Sequence, residues 1–146
     1  MRVENNKLGR ILHDALYNRM VSFCETYTPE IPAEPVVTTW LNRVYSGDLD
    51  IHIIVTLDKQ YNIVSHAVID VQKAFSHTVV FCHQAQADKG NTIAIDEAME
   101  FLDKLAASVN ATCIAVNVSK NSKALEKRYN FTTTRSVMLK CLNGES

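Results

Sequence analysis

Apolar residues recur every three or four positions from Leu8 to Cys24, at Leu8, Ile11, Leu12, Ala15, Leu16, Met20 and Phe23, tracing one face of an amphipathic helix. The stretch "ETYTPEIPAEP" ends that pattern, because each proline lacks an N–H and restricts the residue before it. It reads as a connector within a domain. A short second helix is expected around "PVVTTWLNRVYSG", with Pro35 near its first turn and Gly47 just past its end.

The period then changes. "IHIIVTL" and "IVSHAVIDVQ" are short and rich in β-branched residues, and the turn-prone "DKQYN" between them predicts an antiparallel hairpin. "HTVVFCHQ" is a third strand of the same kind. Helical spacing returns from Asn91 to Val109, where Ile93 or Ala94, Ala98, Phe101, Leu102, Leu105, Ala106 and Val109 share a face. "TCIAVNVS" reads as a fully buried strand, "NSKALEKRY" as a short helix, and "TTTRSVMLKCL" as a final strand. Because a helix separates the third strand from the next, that unit can form a parallel βαβ crossover in an otherwise antiparallel sheet. The expectation is an α/β fold: a mixed, mostly antiparallel sheet with helices on both faces.

Composition narrows the partners. The 146 residues are 47% hydrophobic and 21% charged, which suits a single globular domain over 1–146. With 15 basic against 16 acidic residues, no overall field draws the chain to nucleic acid or to a membrane. No apolar run approaches the ~20 residues of a bilayer span, and "MRVENNKLGR" lacks the apolar core of a secretory signal. Cys24, Cys82, Cys113 and Cys141 lie far apart without metal-ligand spacing, so they read as buried thiols in a reducing, cytoplasmic setting, and no metal is expected.

The order of elements resembles that of the GNAT superfamily, the N-acetyltransferases that use acetyl-CoA, over nearly the whole chain, with "MRVEN" as the candidate first strand. "DKQYNIVSHAVI" is similar to the family's second and third strands, with Ser65 where a glycine often stands. "NVSKNSKALEKRYNF" is similar to its fifth strand, Asn-containing turn and last helix, whose closing glycine-phenylalanine pair is here Asn130-Phe131. Asparagine tolerates the left-handed conformation that such a helix end requires. The family's pyrophosphate loop, an Arg or Gln followed at fixed spacing by two small residues, falls on "CHQAQADKGNT". Aligning Gly90 with its first glycine puts Ala87 and Thr92 at the other two positions. Only Gly90 matches, Gln86 stands one place early, and Asp88 sits where two phosphates would lie.

The resemblance implies acetyl-CoA as cofactor and direct transfer to an amine acceptor of unspecified identity. The cofactor would be held by the backbone near Cys82 and Gln84, by the loop residues Ala87, Asp88, Lys89, Gly90, Asn91 and Thr92, and by Asn117 and Asn121. The loop also reads without the family. Gly90 permits close backbone approach, Lys89 adds charge, and the amides of Asn91, Thr92 and Ile93 open a helix; equally, Asp88 or Asn91 would cap that helix in an ordinary turn. His83 is a candidate base, with an ordinary pKa of ~6.5, or a polar surface residue. Tyr129 is a candidate acid, one turn later than the family's tyrosine, or a core residue. Asn117 and Asn121 also suit a strand end and a helix cap. Lys120, Lys123, Lys127 and Arg128 form a basic helix face, either solvated or turned to a CoA 3′-phosphate or an acidic partner. His52, His66 and Asp70 read as exposed alternating positions. The same resemblance admits a second class of function, a catalytically silent structural or protein-binding module acting in a larger assembly, as occurs among phage-encoded, virion-associated proteins.

Overall fold

A computed structural model describes residues 2–3, 10–117 and 122–132. The sheet has the order β1-β2-β3-β4-β5, built from β1 (Arg2–Val3), β2 (Ile51–Leu57), β3 (Ile63–Ala74), β4 (His77–Ala87) and β5 (Cys113–Val116). Neighbouring strands are antiparallel except β4 and β5, which run parallel. The helices are α1 (Arg10–Tyr27), α2 (Ala33–Tyr45), α3 (Thr92–Ser108) and α4 (Ser122–Tyr129). The expected α/β architecture is therefore present, including the single parallel crossover through α3. The expected last strand and Cys141 lie outside the described residues.

Local chemistry sets the element ends. Proline at 35 lies in the first turn of α2, where its missing N–H removes no intrahelical bond. Gly47 ends the same helix at φ +82°, and the next N–H, of Asp48, returns to the Arg43 carbonyl at 3.0 Å. Asn130 takes φ +60° just past α4, the left-handed role expected of it. At the β2–β3 turn the Asp58 carboxylate accepts from the Gln60 and Asn62 amides at 2.8 and 2.9 Å.

The sheet separates two cores. On one face Leu16, Met20 and Cys24 of α1 and Val37 and Leu41 of α2 pack against Ile51, Ile53 and Val55. On the other, Met99 and Leu102 of α3 pack against Ile54, Ile69, Val80 and Cys82. β5 is half-buried and Cys113 is exposed, which corrects the reading of a fully buried strand and of a buried thiol there. Cys24 and Cys82 are buried as expected. Among the described residues no helix is long and apolar enough to cross a membrane.

One irregularity organises the site. In the β3–β4 ladder Ile69 faces Cys82 while Val68 faces Gln84, so His83 is an extra residue bulged out of β4. Cys82 packs on the α3 face. Past it, His83 and Gln84 both turn to the helical layer of α1 and α2: His83 lies against Trp40, and the Gln84 amide donates to the Met20 carbonyl at 3.1 Å. The bulge thus resets the alternation just where β5 stops.

Candidate active site

β5 accompanies β4 only to the pair Cys82↔Val116, and its last bond is Asn117 N–H to the Cys82 carbonyl at 3.0 Å. β4 continues to Ala87. The sequence reading stopped this strand at Gln84, because the small and polar "AQA" carries no apolar alternation. The Asp88 N–H donates to the Val64 carbonyl at 2.8 Å, and bonded and non-bonded pairs alternate along an antiparallel ladder. Gln86 and Gln84 therefore face β3, whereas the backbone groups of Ala85 and Ala87 face the gap that β5 leaves.

That gap opens into a cavity of about 350 Å³, within the ~300–1,000 Å³ of small-molecule sites. Ala85, Ala87, Ala94 and Ala98 line it together with Asn117 and Tyr129. Short side chains leave the backbone accessible there. At one end stands the front of α3, where Gly90 takes φ +90°. Among the described residues, the amides of Gly90, Thr92 and Ile93 have no hydrogen-bond partner, as the first turn of a helix requires. Partial positive charge is directed out of that turn.

Asp88 does not cap α3. Asn91 holds the cap position without a side-chain cap, its N–H donating to the Asp88 carbonyl at 3.0 Å and its side-chain amide to the same oxygen at 3.4 Å. The Asp88 carboxylate instead forms an ion pair with Arg19 of α1 at 3.0 Å. The charge that stood against an anion site is thus met by a cation 69 positions earlier in the chain. Arg19 also donates to the carbonyls of Ile63 at 3.3 Å and Gln86 at 3.4 Å, tying α1 to the sheet beside the loop.

Behind this pair runs a buried polar chain that the alternation pattern missed. His66 is only 2% exposed, which corrects its reading as a surface position. The Arg19 Nε–H donates to His66 Nδ1 at 2.9 Å, so the ring proton sits on Nε2 and is donated to the Gln84 side-chain oxygen, also at 2.9 Å. The Gln84 amide passes on to the Met20 carbonyl and to Cys24 Sγ, both at 3.1 Å. Burial, reinforced by the neighbouring Arg19 charge, pushes the His66 pKa down to about 4 against the partial offset of its Gln84 bond. Burial likewise pushes the Cys82 thiol up to about 12, so it is no nucleophile at neutral pH.

The predicted catalytic residues are not brought together. His83 sits on the α2 side, its Nε2 3.4 Å from Asp70 and its ring against Trp40 and Phe81. Burial lowers its pKa, with Asp70 opposing. It does not line the cavity. Asp70 itself is gripped by the Arg43 guanidinium at 3.0 and 3.2 Å. Tyr129 lines the cavity, and its hydroxyl donates to Asp96 at 2.5 Å. Burial and the Asp96 carboxylate raise its pKa, keeping the phenol protonated. Arg128 pairs with Asp96 at 2.9 Å, and Lys89 is exposed. Asn121 lies outside the described residues, as do Lys120 and the Lys123 side chain. Among the described residues no group of three His, Cys, Asp or Glu side chains is placed to hold a metal ion.

No protein-family model matches the sequence, and neither does any curated protein. Solved structures do. A predicted acetyltransferase from Clostridium acetobutylicum, determined with acetyl-CoA, superposes with a TM-score of 0.72 at 16% identity, covering 99% of this chain and 97% of that one. A transcriptional regulator from Bacillus halodurans gives 0.70 at 10% identity over 97% and 99% of the two chains. Glucosamine-6-phosphate N-acetyltransferase from Arabidopsis thaliana gives 0.62 at 14% identity over 86% and 92%. At such identities the likeness speaks for architecture, and with the mixed sheet, the crossover and the parted β4 and β5 it shows that this chain has a GNAT-like fold.

Proposed function

We propose that the protein is an acetyl-CoA-dependent N-acetyltransferase acting by direct transfer to an amine. One observation carries this reading: β4 runs on beyond its pairing with β5, and the backbone it exposes at Ala85 and Ala87 leads within a few residues into the unpaired amides at the front of α3. An acyl-CoA fits that line. Its pantetheine arm would lie between the parted strands, where strand backbone supplies donors and acceptors, and its pyrophosphate would meet the Gly90, Thr92 and Ile93 amides. The neutralisation of Asp88 by Arg19 removes most of the repulsion that a bare carboxylate would exert there. An amide of β4 past the bulge would receive charge developing on the acyl oxygen, a role that needs no particular side chain.

His83, kept neutral by burial, is the proposed base if the acceptor approaches from the α2 side. Tyr129 reaches the cavity as a protonated phenol, suited to supplying the departing thiolate with a proton once its hydroxyl turns from Asp96. These same contacts favour a second reading, a binding module without chemistry: the hydroxyl of Tyr129 and the ring of His83 are both directed at carboxylates rather than at a reacting group.

Acetyl-CoA binding separates the two. The wild-type melting temperature should rise with acetyl-CoA, because a ligand that binds only the folded state stabilises it by ~2.7 kcal/mol at a hundredfold excess over Kd. Asp88→Asn should strengthen binding severalfold, since Arg19 then faces the phosphates with its charge uncancelled. A flat melting curve at millimolar acetyl-CoA in both proteins would remove the transferase.

A further inference from the structure

Glu97 lies on α3 and lines the cavity. Its Oε2 is shut off from solvent and has no hydrogen-bond partner among the described residues. The other charged groups described around the cavity are already matched: Arg128 pairs with Asp96, and Arg19, just behind the wall, pairs with Asp88 and His66. Among the described residues that line it, Glu97 is also the only carboxylate. A buried carboxylate oxygen without a donor is costly, and a neutral N–H compensates a full negative charge poorly. A cation compensates it well.

We propose that Glu97 docks the ammonium group of the acceptor, and that the acceptor is a primary amine carried on an uncharged, apolar or aromatic body. The inference rests on the transferase reading for its chemical step but not for the binding itself. The rest of the wall supports this substrate class. Phe23 and Tyr27, with ring centroids 4.7 Å apart, line the same cavity and offer aromatic surface to such a body and its cation. With both nearby arginines engaged by carboxylates, a phosphorylated or carboxylated amine would bring an anion that finds no free cation among the described residues of the wall.

An acceptor docked at Glu97 lies in the cavity rather than on the α2 side, so Glu97 takes the place of His83 as base, and the step balances. The docked ammonium gives one proton to Glu97, and the freed amine attacks the thioester carbonyl. The N–C bond forms and the C–S bond breaks. The second proton leaves the nitrogen for the departing sulfur, and Glu97 gives up its proton to water that enters the cavity as the products leave, giving an amide, free CoA thiol and one net proton.

The test uses the full-length protein and two ligands of equal shape, phenethylammonium and its neutral counterpart 2-phenylethanol, with glucosamine 6-phosphate as an anionic amine. Titrations followed by amide NMR should show phenethylammonium binding at least about tenfold more tightly than 2-phenylethanol, the scale of one charge-assisted hydrogen bond, and glucosamine 6-phosphate binding more weakly still. Glu97→Gln should erase that preference while acetyl-CoA affinity stays within about twofold. Equal binding of the cation and the alcohol by the wild-type protein overturns the proposal even if the variant fails to fold. So does a Glu97→Gln protein that loses acetyl-CoA instead, which would make Glu97 a cofactor contact. Absence of acetyl-CoA binding by the wild type, with the ammonium preference intact, would end the transferase reading and leave the amine site standing.

Discussion

His66 shows how much of this site is decided by single contacts. Its Nδ1 accepts from Arg19, so a second ring proton would break that bond and set two cations 2.9 Å apart in a buried position. The pKa of about 4 in the fold against 6.5 for an ordinary histidine has a definite sign. Above pH ~6.5 the ring is neutral whether folded or unfolded, and its contribution is fully present. As pH falls from 6.5 toward 4 the unfolded chain takes up the proton first, so stability declines through that window and the loss is complete below it. The loss should be on the order of 3 kcal/mol. Urea unfolding at pH 7 and at pH 4.5 measures it, and His66→Gln should flatten the difference; an equal slope in both proteins would place the titration elsewhere. None of this was visible from the sequence. The strand alternation put His66 outward, and its partners Arg19 and Gln84 are reached only through tertiary packing. Asp88 was likewise read as an obstacle because its counter-charge is remote in sequence.

At the scale of elements, the pattern was far more informative. Helical and strand periods located the two opening helices, the β2–β3 hairpin and α3, because amphipathic faces repeat over many residues and survive local noise. The ends were legible where one residue type has a steric reason to be there. Asn130 is the clearest instance: at φ +60° it occupies a conformation that costs most residues ~1–2 kcal/mol, and the following Phe131 N–H closes on the Leu125 carbonyl at 3.3 Å. Asn130→Ala should therefore destabilise the protein by about 1 kcal/mol while Asn130→Gly leaves it unchanged or slightly more stable, as read by denaturant midpoints. Equal losses in both variants would mean that the asparagine side chain, rather than its backbone angle, matters. The length of β4 was misjudged for the opposite reason. A strand that borders a gap on one side has no apolar alternation to display, and a bulge at His83 shifts the register besides.

Over the whole molecule, Val80 and Cys82 anchor β4 in the α3-side core before the bulge, and the ladder with β3 and the Gln84 bond to the Met20 carbonyl hold it after the bulge, so its far end can stay unpaired with β5. The GNAT-like order of elements was anticipated from the sequence, and the strand-to-helix turn before α3 was located by Gly90. What the sequence could not supply was which side chains converge: it proposed His83, which faces α2, and passed over Glu97 and Arg19, which meet the cavity and its loop. Residues on helices far apart in the chain leave no spacing signal of their convergence. The backbone of Ala85 and Ala87 and the front amides of α3 are proposed to form one continuous seat for an acyl-CoA. The most direct measurement is an acetyl-CoA titration of 15N-labelled protein followed residue by residue. Saturable shifts are expected at the amides of Ala85, Ala87, Gly90, Thr92 and Ile93, with Phe75 at the far hairpin unmoved; shifts absent from these five, or confined to another face, would rule that seat out.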